Sequence, residues 1–210
     1  MKIVKKLLIT IGSLSACTSS LAHGDHAVAA SFFNGFLHPL TGIDHLLAAF
    51  AIGLIAANLA RSRPSSRVSL FPFIAFLSTA LLGSAFGTQD GALTLKMEWL
   101  VVASLLVFGV SLTLNHGSVV GRQMLIAILA ACSLFGFAHG YVHTAGLASS
   151  AGLIEYELGW LIATALIHAT GFAVSTLLLR NYLFIQRSAG ALIALTGVAL
   201  SATLMGITVI

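Results

Sequence analysis

Charged side chains are scarce: Asp, Glu, Lys and Arg together make up 8% of the 210 residues, against about a quarter in soluble domains. With 58% hydrophobic residues and a mean hydropathy of +1.03, that scarcity excludes an ordinary soluble domain and indicates an integral membrane protein. Cysteine is nearly absent. Cys17 and Cys132 are the two present, so neither a structural disulfide nor a thiolate metal site is expected. Met97 and Met124 stand at the ends of apolar runs and Met205 stands alone, which disfavours copper(I), a cation that prefers paired thiolates or thioethers. No Gly-x-x-x-x-Gly-Lys-Ser/Thr loop occurs, so ATP hydrolysis by the chain itself is not expected. The net charge of +4 does not point to nucleic acid, because the arginines sit in short connections and form no basic stripe.

The N-terminus "MKIVKKLLITIGSLSACTSSLAHGDH" has three lysines, a short apolar stretch and then small residues ending at Ala22. That is the layout of a cleavable signal peptide over residues 1–22. Cleavage after Ala22 leaves His23 and His26 at the mature end, where they would gather metal or serve as an inert tether. Lipidation at Cys17, in Leu14-Ser15-Ala16-Cys17, is the competing reading.

Residues 23–210 then form a single all-α membrane domain with six transmembrane helices, at 38–60, 68–87, 98–115, 123–145, 157–179 and 188–209, each about long enough to span. With the mature N-terminus outside, Arg61, Arg63, Arg67, Arg122, Arg180 and Arg187 all fall on the cytoplasmic side. Asp90, Lys96, Glu98, Glu155 and Glu157 fall outside. This is the positive-inside arrangement of a multi-pass bacterial inner-membrane protein with both mature termini in the periplasm. A short surface helix is expected within "HAVAASFFNGF", and Pro39 suits the first turn of the first span. Gly83-x-x-x-Gly87 and Gly136-x-x-x-Gly140 suit close helix packing in lipid. "GFLH" (35–38) echoes "GFAH" (136–139), but both lie toward the outside, which an inverted repeat would not give.

Ionisable groups inside a membrane are costly unless paired or hydrated, and so are functional candidates. Five histidines lie in or at the mouths of spans, namely His38, His45, His139, His143 and His168, with Asp44 as the one carboxylate well inside. His38 and His45 are seven apart, on one face and about 10 Å apart along a regular helix. His139 and His143 are four apart, as two ligands of one ion would be. Asp44 has two open roles, as a direct ligand or as the acceptor that orients a neighbouring imidazole. By depth the rings trace a route inward from His38 and His143, past His45 and His139, to His168 near mid-membrane. Neutral imidazoles with one carboxylate suit nickel, cobalt or zinc, among which affinity order does not choose. His116 is a loop residue in this scheme.

"HPLTGIDHLLAAFAIGL" (38–54), "FGFAHGYVH" (135–143) and "LIATALIHATG" (161–171) resemble the HupE/UreJ family of nickel and cobalt permeases. The resemblance implies uptake of Ni²⁺ or Co²⁺ across the inner membrane, supplying hydrogenase, urease or cobalamin assembly, with the metal as cargo and no resident cofactor. It carries the family signature onto His38, Asp44, His45, His139 and His143. Family members often follow the fourth-span pair with Gly-x-Glu, where this chain has Thr144-Ala145-Gly146. Glu155 and Glu157 are candidate substitutes for that carboxylate. The competing function is an intramembrane zinc hydrolase using the same residues, although the chain has no His-Glu-x-x-His element. A metal sensor is a third.

Overall fold

The computed structural model describes residues 30–64, 67–88, 90–114, 120–147, 151–179 and 181–207. The segment expected to be a signal peptide, residues 1–22, together with Cys17, His23, His26, His116 and Arg180, lies outside the described residues. Among the described residues there are seven α-helices: α1 (Phe32–Thr41), α2 (Ile43–Ser62), α3 (Phe71–Ser84), α4 (Gly91–Thr113), α5 (Arg122–Ala145), α6 (Leu153–Ala173) and α7 (Leu183–Leu204). A 3₁₀ turn (Arg67–Leu70) leads into α3, and α6 widens into a π-helical turn at Val174–Leu178. Six of these helical stretches are long and apolar enough to cross a membrane. α1 is the short seventh, begun by Ser31, whose hydroxyl accepts from the Asn34 N–H at 3.3 Å.

Several boundaries differ from those expected, because hydropathy marks where a helix turns apolar and not where it starts. α4 begins at Gly91 instead of 98, since the Asp90 side chain accepts from the N–H groups of Ala92 and Leu93 at 3.0 and 3.2 Å, a strong N-cap. α6 begins at Leu153 instead of 157, after Gly152 at φ +83°, a left-handed conformation that glycine adopts without steric cost. Lys96 and Glu155 are therefore on helices and not in connections, Glu98 and Glu157 lie within helices and not at their starts, and the Glu157 carboxylate oxygens are withdrawn from solvent.

The first span shows the largest departure. It starts at Ile43, not at His38, and Pro39 lies inside α1 instead of opening the span. Proline has no N–H to give the preceding turn, and α1 ends two residues beyond it. Gly42 then runs extended (φ −78°, ψ 111°) before the helix resumes.

α2 is the central helix. Ala48, Ala51, Ile52, Leu54, Ala56, Ala57 and Leu59 are wholly buried, and small side chains let its neighbours come close. A Cβ on Gly53 would strike the His168 carbonyl and one on Gly171 the Phe50 carbonyl, so α2 and α6 touch backbone to backbone. The two Gly-x-x-x-Gly motifs meet each other: Gly83 abuts the Phe137 carbonyl, Gly140 the Ala80 carbonyl, and Gly136 the Phe76 carbonyl. α3 and α5 form a tight pair in consequence. α4 and α7 pair through Gly109 and Gly190. Ile74, Leu82, Leu134, Leu166, Phe184 and Leu195 are exposed, an outward surface that suits hydrocarbon.

The arginine-bearing end is tied by hydrogen bonds. Arg61 donates to the Ser175 carbonyl (3.3 Å) and hydroxyl (3.2 Å), to Gln186 Oε1 (3.0 Å) and to Asn58 Oδ1, joining α2, the π-helical turn and α7. Gln186 in turn donates to the Leu179 carbonyl at 2.8 Å. Arg63 donates to the Val120 carbonyl and Arg187 to the Thr113 carbonyl, each at 2.8 Å.

Candidate metal centre

The opposite end of the bundle holds the histidines. On one continuous helix His38 and His45 would be about 10 Å apart along the axis. The break at Gly42 folds α1 back, and the two rings meet with centroids 5.2 Å apart. His143, in the last turn of α5, completes a triangle at 4.5 Å from His38 and 4.7 Å from His45. One nitrogen from each of the three lies within 4.8 Å of the others. Metal–imidazole bonds of about 2.0–2.1 Å allow at most about 4.2 Å between two nitrogens on one ion. Three nitrogens sharing one ion at that length are spread at most about 3.6 Å apart, as in a trigonal plane, so the triangle has to close by up to about 1.2 Å to hold one.

Neighbours set the tautomers. Asp44 Oδ1 accepts from the His45 backbone N–H at 2.9 Å and from His45 Nδ1 at 2.7 Å. His45 Nε2, left with the lone pair, is buried and has no protein partner. His139 is arranged in the same way: its Nδ1 donates to the Phe135 carbonyl at 2.7 Å, and Nε2 is buried without a partner. A second hydrogen bond that fixes the ring and raises its basicity is what ligating histidines usually have. Of the two roles open to Asp44, the geometry favours acting through His45. Asp44 is not among the residues whose ligand atoms converge.

The structure brings some of the expected residues together and leaves others apart. His139 joins the edge of the triangle, its ring 4.9 Å from His45. His168 is buried deeper, stacked on Phe73 at 5.0 Å and edge-on to Phe76 at 5.4 Å. Among the described residues the converging set is three histidines alone; Glu155 is exposed and Glu157 does not enter it. Sequence reasoning missed Trp160 and Tyr156 on α6. Trp160 lies 4.5 Å from His143, and Tyr156 is 6.4 Å from both His38 and His143. Their spacing was the available signal, since Tyr156, Trp160, Thr164 and His168 recur every fourth residue on one helical face.

Gly35 on α1 abuts the Tyr156 carbonyl and Gly159 on α6 abuts the Phe32 carbonyl. These contacts dock α1, and with it His38, onto α6. His38 and His45 thus belong to a unit of α1, α2 and α6, while His139 and His143 belong to the α3–α5 pair. An ion bound by all three histidines would bridge the two. The buried ring nitrogens of His45, His139 and His143 that have no protein partner, beside the rings of Trp160 and Tyr156, suit a borderline divalent cation.

Residues 11–200 match the family model described as HupE / UreJ protein. Protein HupE of Rhizobium leguminosarum bv. viciae is 27% identical over 197 residues, which cover 93% of this chain and 96% of that protein. No solved structure matches. Since the family match runs through both halves of the bundle and takes in every histidine of the cluster, this chain belongs to the HupE/UreJ family.

Proposed function

We propose that the protein is a secondary transporter that takes up a divalent transition metal, Ni²⁺ or Co²⁺, from periplasm to cytoplasm across the inner membrane. One membrane domain, left after removal of a leader ending at Ala22, carries the whole activity. The observation that supports this best is the convergence of His38, His45 and His143 within 4.8 Å at one end of an apolar bundle. The arginines at the other end support a cytoplasmic assignment for it by the positive-inside rule, so the histidines would receive cargo from outside. No ATP-binding loop is present in the sequence. The membrane potential suffices: two charges moving inward across 100 mV gain about 4.6 kcal/mol, a bias of over a thousandfold.

The test is accumulation of labelled nickel or cobalt, with competition among nickel, cobalt and zinc. Cells making the intact protein should accumulate metal, and His38→Ala, His45→Ala and Asp44→Ala should lose it. Equal accumulation by His45→Ala would sink the proposal. Tight stoichiometric zinc without accumulation would favour the hydrolase instead.

A further inference from the structure

Orphaned polar atoms continue inward beyond the three-histidine triangle. Trp160, Thr164 and His168 follow one another at intervals of four along α6, one face of the helix with about 6 Å between steps. Trp160 Nε1, Thr164 Oγ1 and both nitrogens of His168 are buried with no hydrogen-bond partner. On α5, His143 and His139 descend in the same direction, and His139 Nε2 is orphaned as well. Buried polar groups in native proteins are nearly always paired, and each exception calls for an explanation.

The ordinary explanation for a core histidine fails at His168. His139 shows that explanation at work, its ring donating to the carbonyl one turn earlier on its own helix. His168 has the Thr164 carbonyl at the same offset and makes no such bond, although its ring is only 1% exposed. Phe73 instead lies nearly parallel over the imidazole face, with 11° between the planes. Stacking of that kind holds the ring flat and leaves its nitrogens, which lie in the ring plane, unengaged. Phe76, itself 1% exposed, contacts His139 at 5.1 Å and His168 at 5.4 Å. One phenyl ring therefore touches both the last imidazole of the outer group and the inner one.

We propose that His168 is the core of a second, inner binding station for a borderline divalent cation, separated from the three-histidine station by the ring of Phe76. Thr164 Oγ1, one turn away on the same helix and likewise buried without a partner, is the candidate to share the ion, and Phe76, whose ring touches both His139 and His168, is the barrier it crosses between stations. This rests on the transport reading above, and it adds a second ion site to that reading.

The test is equilibrium dialysis of the purified full-length protein in nanodiscs against Co²⁺. The intact protein should hold two ions per chain and His168→Phe one, with cobalt absorption from the outer site unchanged. A His45→Ala/His143→Ala double variant should keep the inner ion. One ion in the intact protein and one in His168→Phe would overturn the inner station. A single ion in the intact protein and none in His168→Phe would also overturn it, by making His168 part of a single site. No ion in the intact protein would overturn the transport reading as well. Histidine-selective ¹⁵N NMR of the intact protein with Zn²⁺ reads the same site without any substitution. The His168 nitrogens should shift with the second equivalent only, and absence of any shift at saturation refutes the proposal.

Discussion

Asp44→Asn isolates what the carboxylate does. Asparagine keeps the size and can still accept from the His45 backbone N–H, as Asp44 does at 2.9 Å, so α2 should start in the same place. What is lost is the negative charge beside His45 Nδ1. An ion on the far nitrogen of that ring would sit about 7 Å from the carboxylate, where charges of −1 and +2 attract by about 5 kcal/mol at an effective dielectric of 20. Asp44 is 16% exposed, so water and salt screen part of this. Loss of a carboxylate partner behind a ligating histidine typically costs about 10- to 100-fold in affinity, or about 1.4–2.8 kcal/mol. Calorimetric titration of purified Asp44→Asn with Ni²⁺ or Co²⁺ should therefore show at least a tenfold weaker outer site and an unchanged melting temperature. The number of imidazoles seen by X-ray absorption should also stay the same, because Asp44 acts through His45. Unchanged affinity in Asp44→Asn, alongside loss of binding in His45→Ala, would refute the reasoning.

Protons compete with metal for imidazole lone pairs, and only the neutral ring binds. Uptake should fall as external pH drops through about 6.5, the ordinary imidazole value, and uptake at pH 5 equal to that at pH 7 would count against histidine ligation. Gly42→Ala would put a methyl 3.1 Å from Asp44 Oδ1 and 3.2 Å from His45 Nδ1, so metal affinity should drop while thermal stability is kept. Arg61→Met leaves the buried oxygens of Gln186 and Ser175 without their donor, at about 1–3 kcal/mol for each group that finds no other partner. A lower melting temperature with the outer metal site intact is the expected result, and an unchanged melt would show the network to be dispensable.

Much of the bundle was legible because a bilayer demands it: six apolar runs of spanning length appear as six helices. The glycine motifs were equally readable as packing elements, and Gly83 and Gly140 lie where α3 and α5 touch. The exact starts were harder, because caps such as Asp90 and Gly152 lie in polar sequence that hydropathy scores as connection. The histidines stood out by their cost in hydrocarbon, yet their grouping was only half visible. His139 and His143 share a face through local periodicity, whereas the contacts of His38 with His143 and of Trp160 with His143 join different helices. Periodicity within one segment cannot register those contacts. The break at Gly42 was masked by Pro39, whose fitness for a first helical turn is real but which here sits near the end of another helix.

That break also changes the field a cation meets. α1 ends just past His38, which lies in its last turn, and α2 begins with Asp44 in its first turn. A helix carries about half a negative charge at its C-terminus and about half a positive charge at its N-terminus. A continuous helix would have left neither end here; the interrupted one brings both to the mouth of the bundle. The Asp44 carboxylate outweighs the positive end of α2, so the mouth keeps a net negative charge from Asp44 and from the end of α1. Attraction of the cargo then comes from a backbone dipole as well as from the Asp44 charge and the imidazoles, which lets one carboxylate serve where the converging set holds no second acid.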